Sequence, residues 1–188
     1  ENSIIGQLTA GLALLAQQYP SEDWGYFLNR DGTVRWSDVA FTGQSHGATS
    51  AAVFAHELRV YRAVSQAGPR DNTCGSGRAT GDFNATRLPY DVHCPDAQIA
   101  SWLDSPSATP LDRYYGFVGK QDQQYGDDLF SMERQKFPGS PVNISTGAPP
   151  YDDSHRFYAE VGHVAFESFG AAINIAFGVL PENSEPAF

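Results

Sequence analysis

Lysine is almost missing from this chain: Lys120 and Lys136 are the only two among 188 residues. Basic residues number 12 against 22 acidic ones, giving a formal net charge of −10. Such a surface repels polyanions, so nucleic acid is not an expected partner. No apolar run reaches the ~18 residues that a membrane-crossing helix needs, so no span is expected. There is no H-E-x-x-H or comparable ligand cluster, and neither a catalytic metal nor another cofactor is expected. No internal repeat is present, which sets aside solenoid and propeller architectures. The chain opens on Glu1 without a signal-like segment, which reads as mature, trimmed or cleaved material. Charged residues are only 18%, but 41% hydrophobic and 13% aromatic residues argue against disorder. The length suits a single domain, 1–188, with a sizeable core.

Cysteine is scarce as well. Cys74 and Cys94 bracket a segment rich in Gly, Asn, Asp and Pro. A disulfide between them would close a loop of about twenty residues and contribute on the order of 3 kcal/mol in the chain-entropy model. Zinc is a poor reading of the pair, since His93 is the only nearby partner. A disulfide places the protein in an oxidising compartment, hence secreted or periplasmic. Asn84-Ala85-Thr86 and Asn143-Ile144-Ser145 are formal glycosylation acceptors.

What the chain does carry is Val39-Ala40-Phe41-Thr42-Gly43-Gln44-Ser45-His46-Gly47, an apolar run ending in G-x-S-x-G. The bare pattern arises by chance in roughly one chain of this length in ten, so its context decides. Here an alanine-rich, helix-permissive stretch follows from Ala48 to Leu58. A strand, a turn too sharp for flanking side chains and a helix make a nucleophile elbow. Gly43 and Gly47 are expected to allow close backbone approach where strand and helix meet. Ser45 would stand at the strained tip, with the helix N-terminus beneath it to receive developing negative charge. The plainer alternative is a small-residue turn that lets a helix pack closely on a sheet.

The flanking pattern alternates helix and strand. Ile4, Ile5, Leu8, Leu12, Leu15 and Ala16 lie at helical spacing, and Pro20 stops the run. That helix is expected to cover one face of a sheet, with Trp24, Tyr26, Phe27 and Leu28 extending the cover. Asn29-Arg30-Asp31-Gly32 is a turn. Strands are expected at 38–44, 60–65, 114–119 and 157–160. Helices are expected after the elbow, at 127–137 and at 164–178, with loop at 138–150 and a frayed tail after Pro181. Residues 72–110 have no clean period and read as a disulfide-closed excursion, a lid or substrate wall. Tyr90, Trp102, Tyr114 and Tyr115 are candidates to wall an apolar acyl pocket, with core packing as their default. The expected class is α/β, a mostly parallel sheet flanked by helices.

In such a sheet, reactive groups collect at the carboxyl ends of strands. Ser45, Asp122 and His163 each follow an expected strand, in the order Ser…Asp…His. Gly43-Gln44-Ser45-His46-Gly47, Gly119-Lys120-Gln121-Asp122 and Gly162-His163 together resemble the nucleophile, acid and histidine loops of the α/β-hydrolase superfamily. The resemblance covers the chain from the nucleophile strand onward. It implies that Ser45 attacks an acyl carbon, that His163 carries its proton, and that Asp122 orients the imidazole. It also implies the His46 N–H as one oxyanion donor. Asp71, after the second strand, is the alternative acid; its plainer role is a turn residue after Pro69. His155 is a weaker alternative base, and His56 reads as structural. Asp127 and Asp128 read as helix N-terminal carboxylates that favour the dipole.

The expected activity is ester hydrolysis through an acyl-enzyme, on a small-molecule or polymeric ester (carboxylesterase, lipase or polyester-hydrolase type). A peptidase or amidase of the same fold is the alternative within enzymes, and a catalytically silent hydrolase-like binding module is the alternative outside them. The superfamily also implies strands ahead of the nucleophile strand, on the order of 100 residues at ~30 per βαβ unit. Only one helix and a turn stand there. The partner expected on this ground is an N-terminal fragment of the same precursor, docked as a second chain and supplying the remaining strands and one oxyanion N–H.

Overall fold

The computed structural model describes residues 3–73, 98–164, 166 and 169–179. Cys74, Cys94, Tyr90 and the tail after Pro181 lie outside the described residues, and so do their expected disulfide, pocket wall and fraying. The chain divides into two compact units, Glu1–Val39 and Ala40–Phe188.

The first unit is built on helix α1, Ile4–Gln18. Ser3 caps it by accepting the Gly6 N–H at 3.0 Å, which satisfies one of the first-turn donors. Leu12 is the buried residue of its apolar stripe, whereas Ile4 and Ile5 in the first turn are exposed. The Trp24–Phe27 3₁₀ turn folds back along the helix, where Gly25 faces Ala16, and this end of the stripe is the one covered. The expected Asn29–Gly32 turn is present and closes a short bridge between Leu28 and Val34.

The second unit holds strands β1 Ala40–Gln44, β2 Arg62–Gln66, β3 Asn72–Thr73, β4 Gln98–Ile99, β5 Tyr114–Gly119, β6 Val142–Asn143 and β7 Arg156–Ala159. Helices α2 His46–Glu57, α3 Tyr125–Arg134 and α4 Gly170–Ala176 follow β1, β5 and β7. Five strands form one sheet in the order β1-β2-β5-β7-β6, every pair parallel. The architecture is α/β. Parallel strands need long crossovers, so their carboxyl ends and the loops that follow gather on one side. β5 is buried along its whole length, in keeping with a central strand covered on both faces. The core gathers Val64, Tyr115, Phe117, Phe157, Phe166 and Ile175. Burying each of the larger side chains is worth roughly 1.5–3 kcal/mol.

Two expectations are corrected, and two others take the plainer form already expected of them. Residues 138–150 are not all loop, because Val142–Asn143 pairs with Phe157–Tyr158 as β6. Two residues are too short a run for any periodicity to announce. The closing helix starts at Gly170 rather than 164, since the Phe166 N–H is bonded to the Gln66 side chain instead of entering a helical ladder. Tyr114 and Tyr115 are core residues rather than pocket wall, 1% and 0% exposed. Asp127 and Asp128 do sit in the first turn of α3, but both are buried. The excursion is clamped at its base, where β3 and β4 pair antiparallel.

Asp128 has a thermodynamic consequence. Both of its carboxylate oxygens are buried and lack a hydrogen-bond partner among the described residues. Burial pushes its carboxyl well above the usual carboxylate range; Arg70 opposes this, and Asp122 and Asp127 reinforce it. A raised folded-state value means that its contribution to stability is complete below the ordinary carboxylate range and is lost as pH rises through the folded value. Asp128→Asn carries no charge at any pH. Its melting temperature is therefore expected to exceed wild type by a few degrees at pH 8 and to match it near pH 3. A variant melting below wild type at pH 8 would contradict this account.

Candidate active site

Ser45 connects β1 to α2 with φ 58° and ψ −121°, a backbone state that non-glycine residues rarely hold. The surroundings over-determine it. The Ser45 N–H donates to the Gln66 carbonyl at 2.9 Å, and its own carbonyl accepts the Ala48 N–H at 2.9 Å. The side chain makes no capping bond to α2, and among the described residues Ser45 Oγ has no hydrogen-bond partner.

The two glycines of the elbow are not equivalent. A Cβ at Gly43 would lie 2.3 Å from the Gly47 carbonyl carbon and oxygen, so only glycine fits there. A Cβ at Gly47 would meet nothing within 4 Å. The expectation that both positions need the missing side chain is corrected: Gly47 supplies the backbone that Gly43 must clear. Gly43→Ala is therefore expected to cost on the order of 3 kcal/mol by overpacking against main chain. Gly47→Ala is expected to stay within ~1 kcal/mol of wild type, helped by helix propensity. Urea unfolding of the two variants checks the contrast.

Asp122 lies just past β5 and is 4% exposed. Its Oδ1 accepts the Gln124 N–H at 3.0 Å, and its Oδ2 receives His163 Nδ1 at 2.5 Å. A carboxylate on Nδ1 places the proton there and leaves Nε2 as a proton acceptor. His163 follows β7, and its side chain is about one-third exposed, at 36%. The two loops are zipped by main chain: Lys120 N–H to Ala159 O at 2.8 Å and Gln121 N–H to Val161 O at 2.9 Å. Gly119 makes this possible, since a Cβ there would stand 2.1 Å from the Gly162 carbonyl oxygen.

The remaining candidates are engaged elsewhere. Asp71 Oδ2 accepts the Trp102 indole N–H at 2.5 Å, and its carbonyl accepts the Ala100 N–H at 3.0 Å, both at the base of the excursion. His155 precedes β7, so it lies at the amino end of the sheet; its Nδ1 meets the Tyr114 carbonyl at 3.0 Å and its ring stacks on Tyr115. His56 bonds Glu57 and Ser105. His46 opens α2 with an exposed side chain, and its N–H belongs to the first turn, where a helix supplies no acceptor.

The structure thus joins Asp122 to His163 and sets Ser45 at the carboxyl end of the same sheet. It forms no hydrogen bond between Ser45 and His163 among the described residues. One residue at this end escaped the sequence reading. Gln66, at the end of β2, is 7% exposed and bonds both Thr42 Oγ1 and the Phe166 N–H. Its only sequence signal is a polar residue closing an apolar strand. Comparison with family models, curated proteins and solved structures found no match to this chain.

Proposed function

We propose that this protein is a serine hydrolase of the α/β-hydrolase type that cleaves an ester through an acyl-enzyme. The observation that carries the reading is the His163 Nδ1–Asp122 Oδ2 hydrogen bond at the end of the sheet where Ser45 holds its strained backbone. A hydroxyl free of structural duty, a base with one nitrogen committed to a buried carboxylate, and a helix N-terminus are the parts that acyl transfer requires. In this mechanism Ser45 Oγ attacks the ester carbonyl as His163 Nε2 takes its proton. Asp122 holds the imidazole tautomer and stabilises the imidazolium. The His46 N–H stabilises the oxyanion, and the alkoxide leaves with the proton from His163. Water then repeats the sequence to release the acid.

The test is reaction of the native protein with a fluorophosphonate, followed by mapping of the adduct. Modification at Ser45 and turnover of phenyl esters, with chain-length preference read from an ester panel, support the reading. An unmodified Ser45 overturns it. Matching amides in the panel separate the peptidase or amidase alternative. A catalytically silent binding module is the second reading, favoured by the unformed Ser45–His163 hydrogen bond; it predicts neither adduct nor turnover.

Two further proposals accompany this one. Export to a secreted or periplasmic setting rests on the cysteine pair, and a mass two units below the dithiol form checks it. An N-terminal fragment of the same precursor as a second chain rests on β1, which stands at the end of the sheet and pairs only with β2 among the described residues. Co-purification of a smaller polypeptide on denaturing electrophoresis checks that.

A further inference from the structure

Two hydrogen bonds from one residue connect parts of the site that lie far apart in sequence. The Gln66 main-chain carbonyl accepts the Ser45 N–H at 2.9 Å, which holds the nucleophile. Its side-chain Oε1 accepts the Phe166 N–H at 2.7 Å, three residues beyond His163. The Gln66 amide nitrogen donates to Thr42 Oγ1 at 3.3 Å, which keeps the side chain turned along β1.

The histidine loop needs such an anchor. On leaving β7 the chain turns back across β5 towards β2, and it is pinned on its near side by the Gln121 N–H to Val161 O bond. On its far side Phe166 is fully buried, its ring against Phe117 and Phe169, and its N–H is satisfied by Gln66. His163 sits between these two points. The Asp122 bond holds the ring from the β5 side. Gln66 is bonded, among the described residues, both to Ser45 and to the far end of the histidine loop. We propose that Gln66 is a positioning residue for the Ser45–His163 pair. It takes the nucleophile on its carbonyl and the far end of the histidine loop on its side chain, and so sets their separation.

The inference rests on the serine-hydrolase reading, and its test keeps the two apart. Gln66→Met preserves length and volume but removes the acceptor for Phe166. Gln66→Glu keeps an acceptor oxygen, and Thr42→Val removes only the lateral contact. Each variant and the wild type is titrated to completion with a fluorophosphonate, and both amplitude and rate constant are recorded. Misplacing a catalytic group by about 1 Å costs roughly 10²-fold. Gln66→Met is therefore expected to label at full amplitude with a rate constant ~10–100-fold lower, and to show the same fall in kcat with KM within about twofold. Gln66→Glu is expected within about fivefold of wild type, and Thr42→Val closer still. A merely structural role would reduce the amplitude and leave the rate constant of the folded fraction unchanged; that result, or a Gln66→Met rate equal to wild type, overturns the proposal. If Gln66→Met does not fold, a folded Gln66→Glu labelling more than tenfold slower than wild type overturns it as well. Absence of labelling at Ser45 in the wild type sinks the hydrolase reading itself, a separate outcome.

Discussion

Ser45→Ala is expected to abolish turnover while leaving the melting temperature within about a degree of wild type. The two halves of this expectation have separate grounds. Among the described residues Ser45 Oγ makes no hydrogen bond and does not cap α2, so its removal leaves no structural partner unsatisfied. The backbone cost of φ 58° is already carried by serine, and alanine bears the same Cβ. Loss of the nucleophile in a triad lowers kcat by ~10⁴-fold or more, the residue being the oxyanion site and binding alone. His163→Ala should match that loss. His155→Ala should instead damage stability, because it removes a buried ring stacked on Tyr115 and bonded to the Tyr114 carbonyl. Appreciable residual turnover in Ser45→Ala would remove Ser45 as nucleophile.

Asp122→Asn carries the second largest expected effect, a fall in kcat of ~10⁴-fold with little change in KM. The amide still accepts from the Gln124 N–H through its oxygen, so the acid loop keeps its turn. What it loses is the second carboxylate oxygen, which receives His163 Nδ1 at 2.5 Å. An NH₂ group there forces the imidazole into the wrong tautomer or out of position. Asp71→Asn is the matched control. Asp71 is occupied by the Trp102 indole at the base of the excursion, and its amide variant is expected to retain activity within about fivefold. A reversal of the two results would move the acid role to Asp71.

Local chemistry made much of this site readable in advance. The elbow lies within nine residues, and each of its requirements is met by near neighbours: an apolar run, glycine at the tight approach, small helix-forming residues after it. The order of Ser45, Asp122 and His163, each behind a strand, was readable for the same reason, since strand ends are marked by Gly119-Lys120 and by Gly162. The expected β5 matches the observed Tyr114–Gly119, because a short aromatic-rich apolar run bounded by glycine has no competing helical period. β6 was not readable, because two residues carry no period and pair only once β7 is in place.

By itself the sequence determined an α/β chain with a serine at a strand-to-helix turn and two acids competing for one histidine. Tertiary structure alone decided the competition. Parallel pairing of β5 with β7 brings the loops after them side by side, so Asp122 meets His163 while Asp71 is taken by Trp102. It also decided that Asp128 is buried without a hydrogen-bond partner among the described residues, that Gly43 rather than Gly47 is the sterically obligatory glycine, and that Gln66 reaches Phe166. The Gly43 clash is local, with the Gly47 main chain four residues on, but it depends on backbone geometry that composition does not report. The other three share one physical reason. Helical and strand periods report contacts within a few residues, whereas these depend on which crossover returns beside which strand, a distance that spans 100 residues between Gln66 and Phe166.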